Sequence, residues 1–249
     1  MGGRNIVPGL AWGENTVNRQ TAETLTFRQG VADCIPTLLG YLPVGFAAGV
    51  IEATAGMSLP EIGLLALFLY AGSAQFITAG MVMAGAPVAS IVATVFFVNL
   101  RHLLMSAALA PKFAAISPLK NLLIGAQLTD ETFGVAAGKL NGGERHADRW
   151  MFGLNMTAHA NWIIVNLLGA LLGGWIADPE RYGLHYALPA MFVGLAVMIV
   201  TQRKQYKRDL LVIACAAGGF ALAFIWLPGY MAVMAAAVLA ACVGAVTER

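Results

Sequence analysis

Charge is what this chain has least of. Of its 249 residues only 11% are Asp, Glu, Lys or Arg, against roughly 25% in a soluble globular protein. That shortage excludes a water-exposed surface over most of the chain. Cysteine is scarce too. Cys34, Cys215 and Cys242 lie in apolar runs with neither CxxC nor metal-type spacing, so a disulfide framework is excluded and they read as small hydrophobes. HExxH, GxSxG and DxxD-type clusters are missing, which removes the common hydrolase and metalloenzyme signatures. A net charge of +2 with scattered carriers offers no basic patch for nucleic acid. Residues 1–27 hold no long apolar core after a basic start; a secretory signal is not expected there, and they read as a flexible cytoplasmic N-terminal tail.

What is present is hydrocarbon: 59% of residues are hydrophobic and the mean hydropathy is +0.72. The fold class expected is all-α, a polytopic integral membrane protein, with one transmembrane transporter domain over residues 28–249. Runs of about 20 apolar residues predict eight transmembrane helices, near residues 30–51, 62–83, 88–110, 120–140, 150–176, 187–202, 209–227 and 230–247. Polar residues inside the third and fourth make these the least regular, and broken or re-entrant segments are expected in the first half.

Lysine and arginine stay on the cytoplasmic side of a membrane. Placing "RKQYKR", residues 203–208, inside and alternating spans puts eleven of the 15 basic residues there, with both termini cytoplasmic. Lys112, Lys120 and Arg181 fall outside, and Arg101 falls within the membrane. The two lysines of the 111–120 connection sit awkwardly in that scheme. Glycine pairs at helical spacing, Gly45 with Gly49, Gly134 with Gly138 and Gly169 with Gly173, predict close helix contacts.

Three polar clusters interrupt the early spans. In "YAGSAQF", residues 70–76, Gly72 and Ser73 weaken a helix and Gln75 brings an amide that hydrocarbon cannot satisfy. A broken helix lining a cavity and a plain interhelical hydrogen bond both fit. In "VNLRH", Asn99 and His102 share a helical face while Arg101 points elsewhere. An arginine at mid-membrane costs about 2.5–3.5 kcal/mol on insertion scales, which calls for a protein carboxylate or an anionic substrate group as partner. In "AQLTDETF", residues 126–133, Asp130 and Glu131 lie about 100° apart on a helix and face different partners. One pairs with Arg101 and the other carries a proton, or the segment is a helix end capped by Thr129. Asn155, His159 and Asn166 read as interhelical hydrogen-bonding residues, and Asp33, with Pro36 and Pro43, as the cytoplasmic edge of a kinked first helix.

Four separated signatures, "GYLPVGFAAG", "AGSAQF", "NLRHLLMSAALAP" and "LTDETF", occur in this order between about residues 30 and 140. Together they resemble the AzlC family of branched-chain amino acid permeases. The resemblance implies a multi-pass permease of the cell membrane that exports branched-chain and related apolar amino acids as a secondary transporter, beside a small hydrophobic AzlD-type partner subunit. No cofactor, metal or catalytic residue is expected.

An amino acid zwitterion needs donors for its carboxylate and acceptors for its ammonium. Gly72, Ser73, Gln75, Asn99, Arg101 and His102 are the expected substrate-binding residues, and Asp130 and Glu131 the proton or ammonium site. Phe46 and Phe76 are expected to receive the apolar side chain. The reading is therefore an exporter, proton-linked or electrochemically driven; a channel for a small polar solute and a membrane-embedded enzyme are the alternatives.

Overall fold

The computed structural model describes residues 24–140, 144–173, 175–176, 181–203, 205–227 and 229–247; the expected N-terminal tail lies outside these as far as residue 23. Thr26 opens the first helix with a capping box to Gln29, satisfying two otherwise orphaned N–H groups. Helix α1 (Phe27–Asp33) leads through Cys34 into α2 (Ile35–Thr54). There Pro36 sits harmlessly in the first turn and Pro43 interrupts the interior bonding. Just before α1, the Leu25 side chain is buried and its N–H donates to the Arg145 carbonyl at 2.9 Å.

The spine of the molecule is α2 against α8 (Ala147–Gly173). The two run parallel, since Gly30 meets Trp150, Phe46 meets Gly169 and Val50 meets Gly173 in sequence order. Backbones approach this closely only because side chains are missing. A Cβ on Gly49 would strike the Asn166 carbonyl, and one on Gly169 the Phe46 carbonyl. Gly134 and Gly138 differ from the expectation, because a Cβ on either would meet nothing within 4 Å. Gly169→Ala should therefore lower the unfolding temperature in detergent, with an overpacking cost of about 1–3 kcal/mol. Gly134→Ala should leave it unchanged or raise it, by up to about 1 kcal/mol of helix propensity.

Two expected spans do not run through. Helix α3 (Leu59–Leu64), a π turn (Leu65–Leu69) and α4 (Gly72–Met83) occupy the second. Their neighbours on α8 reverse direction: Gly63 lies against Leu167, the Ala66 carbonyl reaches His159, and then Gly72 meets Trp162 and Gln75 meets Asn166. Gln75 also bonds Glu52, next to the end of α2 where α3 began. The segment enters from the Glu52 end and returns to it.

After α5 (Val88–Leu109) and a 3-10 turn (Ala110–Phe113), α6 (Pro118–Ala126) and α7 (Asp130–Lys139) make the opposite hairpin. Going inward along α8, Lys120 pairs with Asp148, the Ile124 carbonyl with Asn155, and Gln127 with His159. Coming back, Glu131 bonds Tyr41 at mid-α2, and Lys139 lies 3.5 Å from Asp33 at its start. Arms of nine and ten residues rise only about 13–15 Å, half of a bilayer core.

At 62–83 and 120–140 the chain breaks and reverses direction, which fits the broken or re-entrant segments expected there. The third segment, expected to be irregular, is the unbroken α5. Lys112, bonded to the Leu140 carbonyl, and Lys120 share the Asp33 end, where Lys139 also lies. A long helix followed by a hairpin thus occurs twice in opposite senses, α2 with α3–α4 and α5 with α6–α7.

Among the described residues the helices long and apolar enough to cross a membrane are Ile35–Thr54, Val88–Phe113 with its 3-10 turn, and Ala147–Gly173. The last three expected segments are α9 (Ala187–Arg203), α10 (Tyr206–Phe224) and α11 (Gly229–Thr247). The Arg208 guanidinium donates to the Gly244 carbonyl at 3.2 Å, which sets α10 and α11 antiparallel.

Candidate functional site

The hairpin tips meet beside α5. At the first tip the π turn hands the Tyr70 N–H to the Leu65 carbonyl at 3.2 Å, leaving the Ala66 carbonyl open to His159. Tyr70 takes a left-handed conformation, φ 40° and ψ 48°, costly for a bulky residue. Its ring is stacked on His159 with centroids 4.0 Å apart. Helix α4 then starts at Ala71 with no side-chain cap. The first-turn N–H groups of Gly72, Ser73 and Ala74 have no partner within an α-helix and carry its positive dipole end. At the second tip Thr129 caps α7 and exchanges hydrogen bonds with Thr132. This is the helix end read from the sequence, but it stands inside the bundle rather than at a surface.

Arg101 ties the tips together. One terminal nitrogen lies 2.7 Å from Asp130 Oδ2, and the other donates to Ser73 Oγ at 2.8 Å. Glu131, on the neighbouring face, accepts from Tyr41 Oη at 2.9 Å, and that hydroxyl lies 2.6 Å from Thr129 Oγ1. The two carboxylates thus take separate partners, as their 100° spacing requires. His159 joins the hairpins from α8. Its Nε2 faces the Ala66 carbonyl at 3.3 Å and its Nδ1 the Gln127 amide at 3.5 Å. A carbonyl only accepts, so Nε2 carries the hydrogen and Nδ1 accepts, which is the neutral imidazole.

Around these groups is a cavity of about 20 Å³, lined by Tyr41, Tyr70, Gly72, Ser73, Arg101, His102, Thr129, Asp130, Glu131 and Trp162, with Ala71. That volume admits a single water molecule, not an amino acid, so the tips are closed on one another. Of the expected site residues, Gly72, Ser73, Arg101, His102, Asp130 and Glu131 are gathered here.

Gln75 and Asn99 are not. Gln75 is fully buried behind the cavity wall, accepting from Trp162 Nε1 at 2.7 Å and donating to Glu52 at 2.9 Å and Asn166 at 3.1 Å. Asn99 stands off the cavity on α5, its Oδ1 without a hydrogen-bond partner among the described residues. Arg101 and His102 share the lining, where the sequence put Asn99 with His102. Phe46 lines an outer apolar groove with Leu42 and Leu168, and Phe76 packs on the core; neither borders the cavity.

Tyr41, Tyr70 and Trp162 line the cavity and Glu52 lies behind it on Gln75; the sequence reading singled out none of them. Aromatics in an apolar chain look like packing. Glu52 looked like the first polar residue after a span, although it is fully buried inside α2.

The family described as "AzlC protein" matches residues 36–176, a stretch that holds both hairpins and α8. The Escherichia coli inner membrane protein YgaZ is 30% identical over 185 residues, covering 72% of this chain and 75% of that protein. An uncharacterized membrane protein of Archaeoglobus fulgidus is 30% identical over 82% of this chain and 86% of its own length. The Bacillus subtilis branched-chain amino acid transport protein AzlC is 22% identical over 77% of this chain and 75% of its own length. No solved structure matches the chain. The match across both hairpins, together with relatives covered over most of their length, establishes that this membrane protein belongs to the AzlC family.

Proposed function

We propose that the chain is a secondary transporter exporting branched-chain and related apolar amino acids across the cytoplasmic membrane. One observation carries the reading: Arg101 bridges Ser73 at the uncapped start of α4 and Asp130 at the start of α7. Opposite charges are thereby held at the junction of two half-membrane hairpins. Half-helix N-termini at mid-membrane receive anionic substrate groups in other transporters.

The substrate carboxylate takes Arg101, Ser73 and the free N–H groups of Gly72 to Ala74. The ammonium takes Asp130 and Glu131, with Tyr41 orienting Glu131. The internal ion pair is what the zwitterion replaces, charge for charge, when the tips part. The Bacillus subtilis relative's name supplies the substrate class.

In this reading α2, α5, α8, α9, α10 and α11 cross the membrane and the hairpins enter from opposite faces. The Asp33 end is cytoplasmic, because Lys112, Lys120, Lys139, Arg145 and Arg149 gather there and such residues are retained inside. Both termini are cytoplasmic, and residues 28–249 form one transporter domain. A small hydrophobic AzlD-type subunit is the proposed partner.

The test is labelled leucine in proteoliposomes holding the chain and that partner. Expected is saturable flux with counterflow against unlabelled leucine, driven further by an imposed pH gradient. Flux without saturation or counterflow would turn the reading to a channel, and no flux at all would sink it.

A further inference from the structure

We propose that Glu52 is the proton-binding group of this transporter, and that its charge state decides whether the α3–α4 hairpin seals the site from the Glu52 end; the assignment rests on the transport reading above. The side chain is fully buried. Oε1 accepts from Gln75 at 2.9 Å, while Oε2 has no hydrogen-bond partner among the described residues.

No cation is directed at it from any described side chain packed on α2. Arg28 and Asp33 of α1 and Asp148 and Arg149 of α8 lie at the opposite end, as the α2–α8 register requires. His159 bonds the Ala66 carbonyl, and Glu61 of α3 bonds Ser58. Tyr186, of the 3-10 turn before α9, is exposed. Helix α4 and the described side chains of α9 contain no titratable group. What faces Glu52 is the amide of Gln75, itself bonded to Asn166 and Trp162.

A carboxylate in such surroundings lacks compensation, whereas the acid is tolerated. Protonated Glu52 fits the closed network. When the proton leaves, the anion requires water, which enters only if Gln75 and its helix withdraw. Gln75 lies two residues past Ser73, and its bond from Trp162 joins it to the cavity wall, so withdrawing α4 also removes Ser73 from Arg101. For exchange, the proton taken from the Glu52 side leaves toward the Asp33 end while the site is open there and substrate enters. The anion then opens the hairpin to the Glu52 side, substrate leaves, and a proton from that side closes it again, which is the order of antiport.

The experiment uses the full chain with its partner in proteoliposomes, comparing wild type with Glu52→Gln, whose amide matches the neutral acid in shape. Leucine counterflow without a gradient measures transport itself, and accumulation under a pH gradient measures coupling. Wild type should accumulate leucine up to about tenfold per pH unit for each coupled proton. Glu52→Gln, fixed in the neutral form that keeps the hairpin sealed, should lose counterflow as well as accumulation. Counterflow or gradient-driven accumulation at the wild-type level in Glu52→Gln overturns the proposal. Wild-type counterflow that ignores the gradient overturns proton coupling and this assignment with it, while absence of wild-type counterflow is a failure of the transport reading instead.

Infrared spectra of the membranes distinguish this loss from a merely misfolded variant. A protonated-carboxyl band present in wild type and missing in Glu52→Gln supports the assignment, and identical spectra overturn it.

Discussion

Arg101→Ala should leave no measurable leucine transport. The side chain holds Ser73 of one hairpin and Asp130 of the other, and in the transport reading it also meets the substrate carboxylate. Truncating one partner of a fully buried charge pair costs about 2–5 kcal/mol. Arg101 and Asp130 keep 26% and 24% of their side-chain surface exposed, which puts the expected loss at the low end, roughly 30-fold in binding. The same change strands Asp130 beside the cavity, and the penalty of about 3–5 kcal/mol for breaking a fully buried pair is an upper bound for this one. A loss of folded protein would therefore mimic a loss of function.

The double change Arg101→Ala with Asp130→Ala separates the two effects. Folded yield, measured by size-exclusion profile and unfolding temperature in detergent, should recover because neither charge is left alone. Transport should stay lost because the carboxylate donor is gone. Arg101→Lys should fold and transport poorly, since an ammonium is a point charge and does not span Ser73 and Asp130 as the guanidinium fork does. Wild-type transport in Arg101→Ala would remove the residue from the site.

How much of this was legible follows from what hydropathy measures. Length and apolarity mark where a segment enters hydrocarbon but not whether it emerges on the far side, so α6 with α7 read as one span of ordinary length. The signs of a reversal were local. Gly72 and Ser73 follow Tyr70 at one tip, and Thr129 precedes two carboxylates at the other, each a helix start placed in the middle of an apolar run. The awkward lysines at 112 and 120 were a second sign, because a hairpin returns its ends to one side.

Arg101 was legible because charge in hydrocarbon is costly, but which of Asp130 and Glu131 would pair with it was not, since that depends on how α7 is turned toward α5. Glu52 was not, because a carboxyl two residues before a helix end looks solvated from sequence alone; only α8 and α4 closing over it bury the group. For Gln75 the sequence left an interhelical hydrogen bond and a substrate contact both open, since an amide's partners depend on tertiary neighbours, here Trp162 and Asn166.

The hairpin arrangement makes a prediction opposite to that of eight straight spans at two loops. With uninterrupted spans, the 84–87 connection lies on the side of Arg145 and the 111–117 connection on the side of Arg181. With re-entrant hairpins both assignments reverse, while the ends of the chain stay where they were. Ala84 and Ala115 are exposed in these connections, and neither side chain makes a hydrogen bond that the change would remove. Ala84→Cys and Ala115→Cys, in a background with Cys34, Cys215 and Cys242 replaced by alanine, should therefore be folded and active.

A membrane-impermeant thiol reagent applied to intact cells should label Ala84→Cys together with an Arg181→Cys reference. Ala115→Cys and an Arg145→Cys reference should react only after the membrane is opened. The contrast is close to all-or-none because the barrier is the bilayer itself, not a graded affinity. Labelling of Ala115→Cys from outside with protection of Ala84→Cys would restore two full spans. It would also separate the helix starts at Gly72 and Asp130, and with them the junction at which Arg101 holds both hairpins.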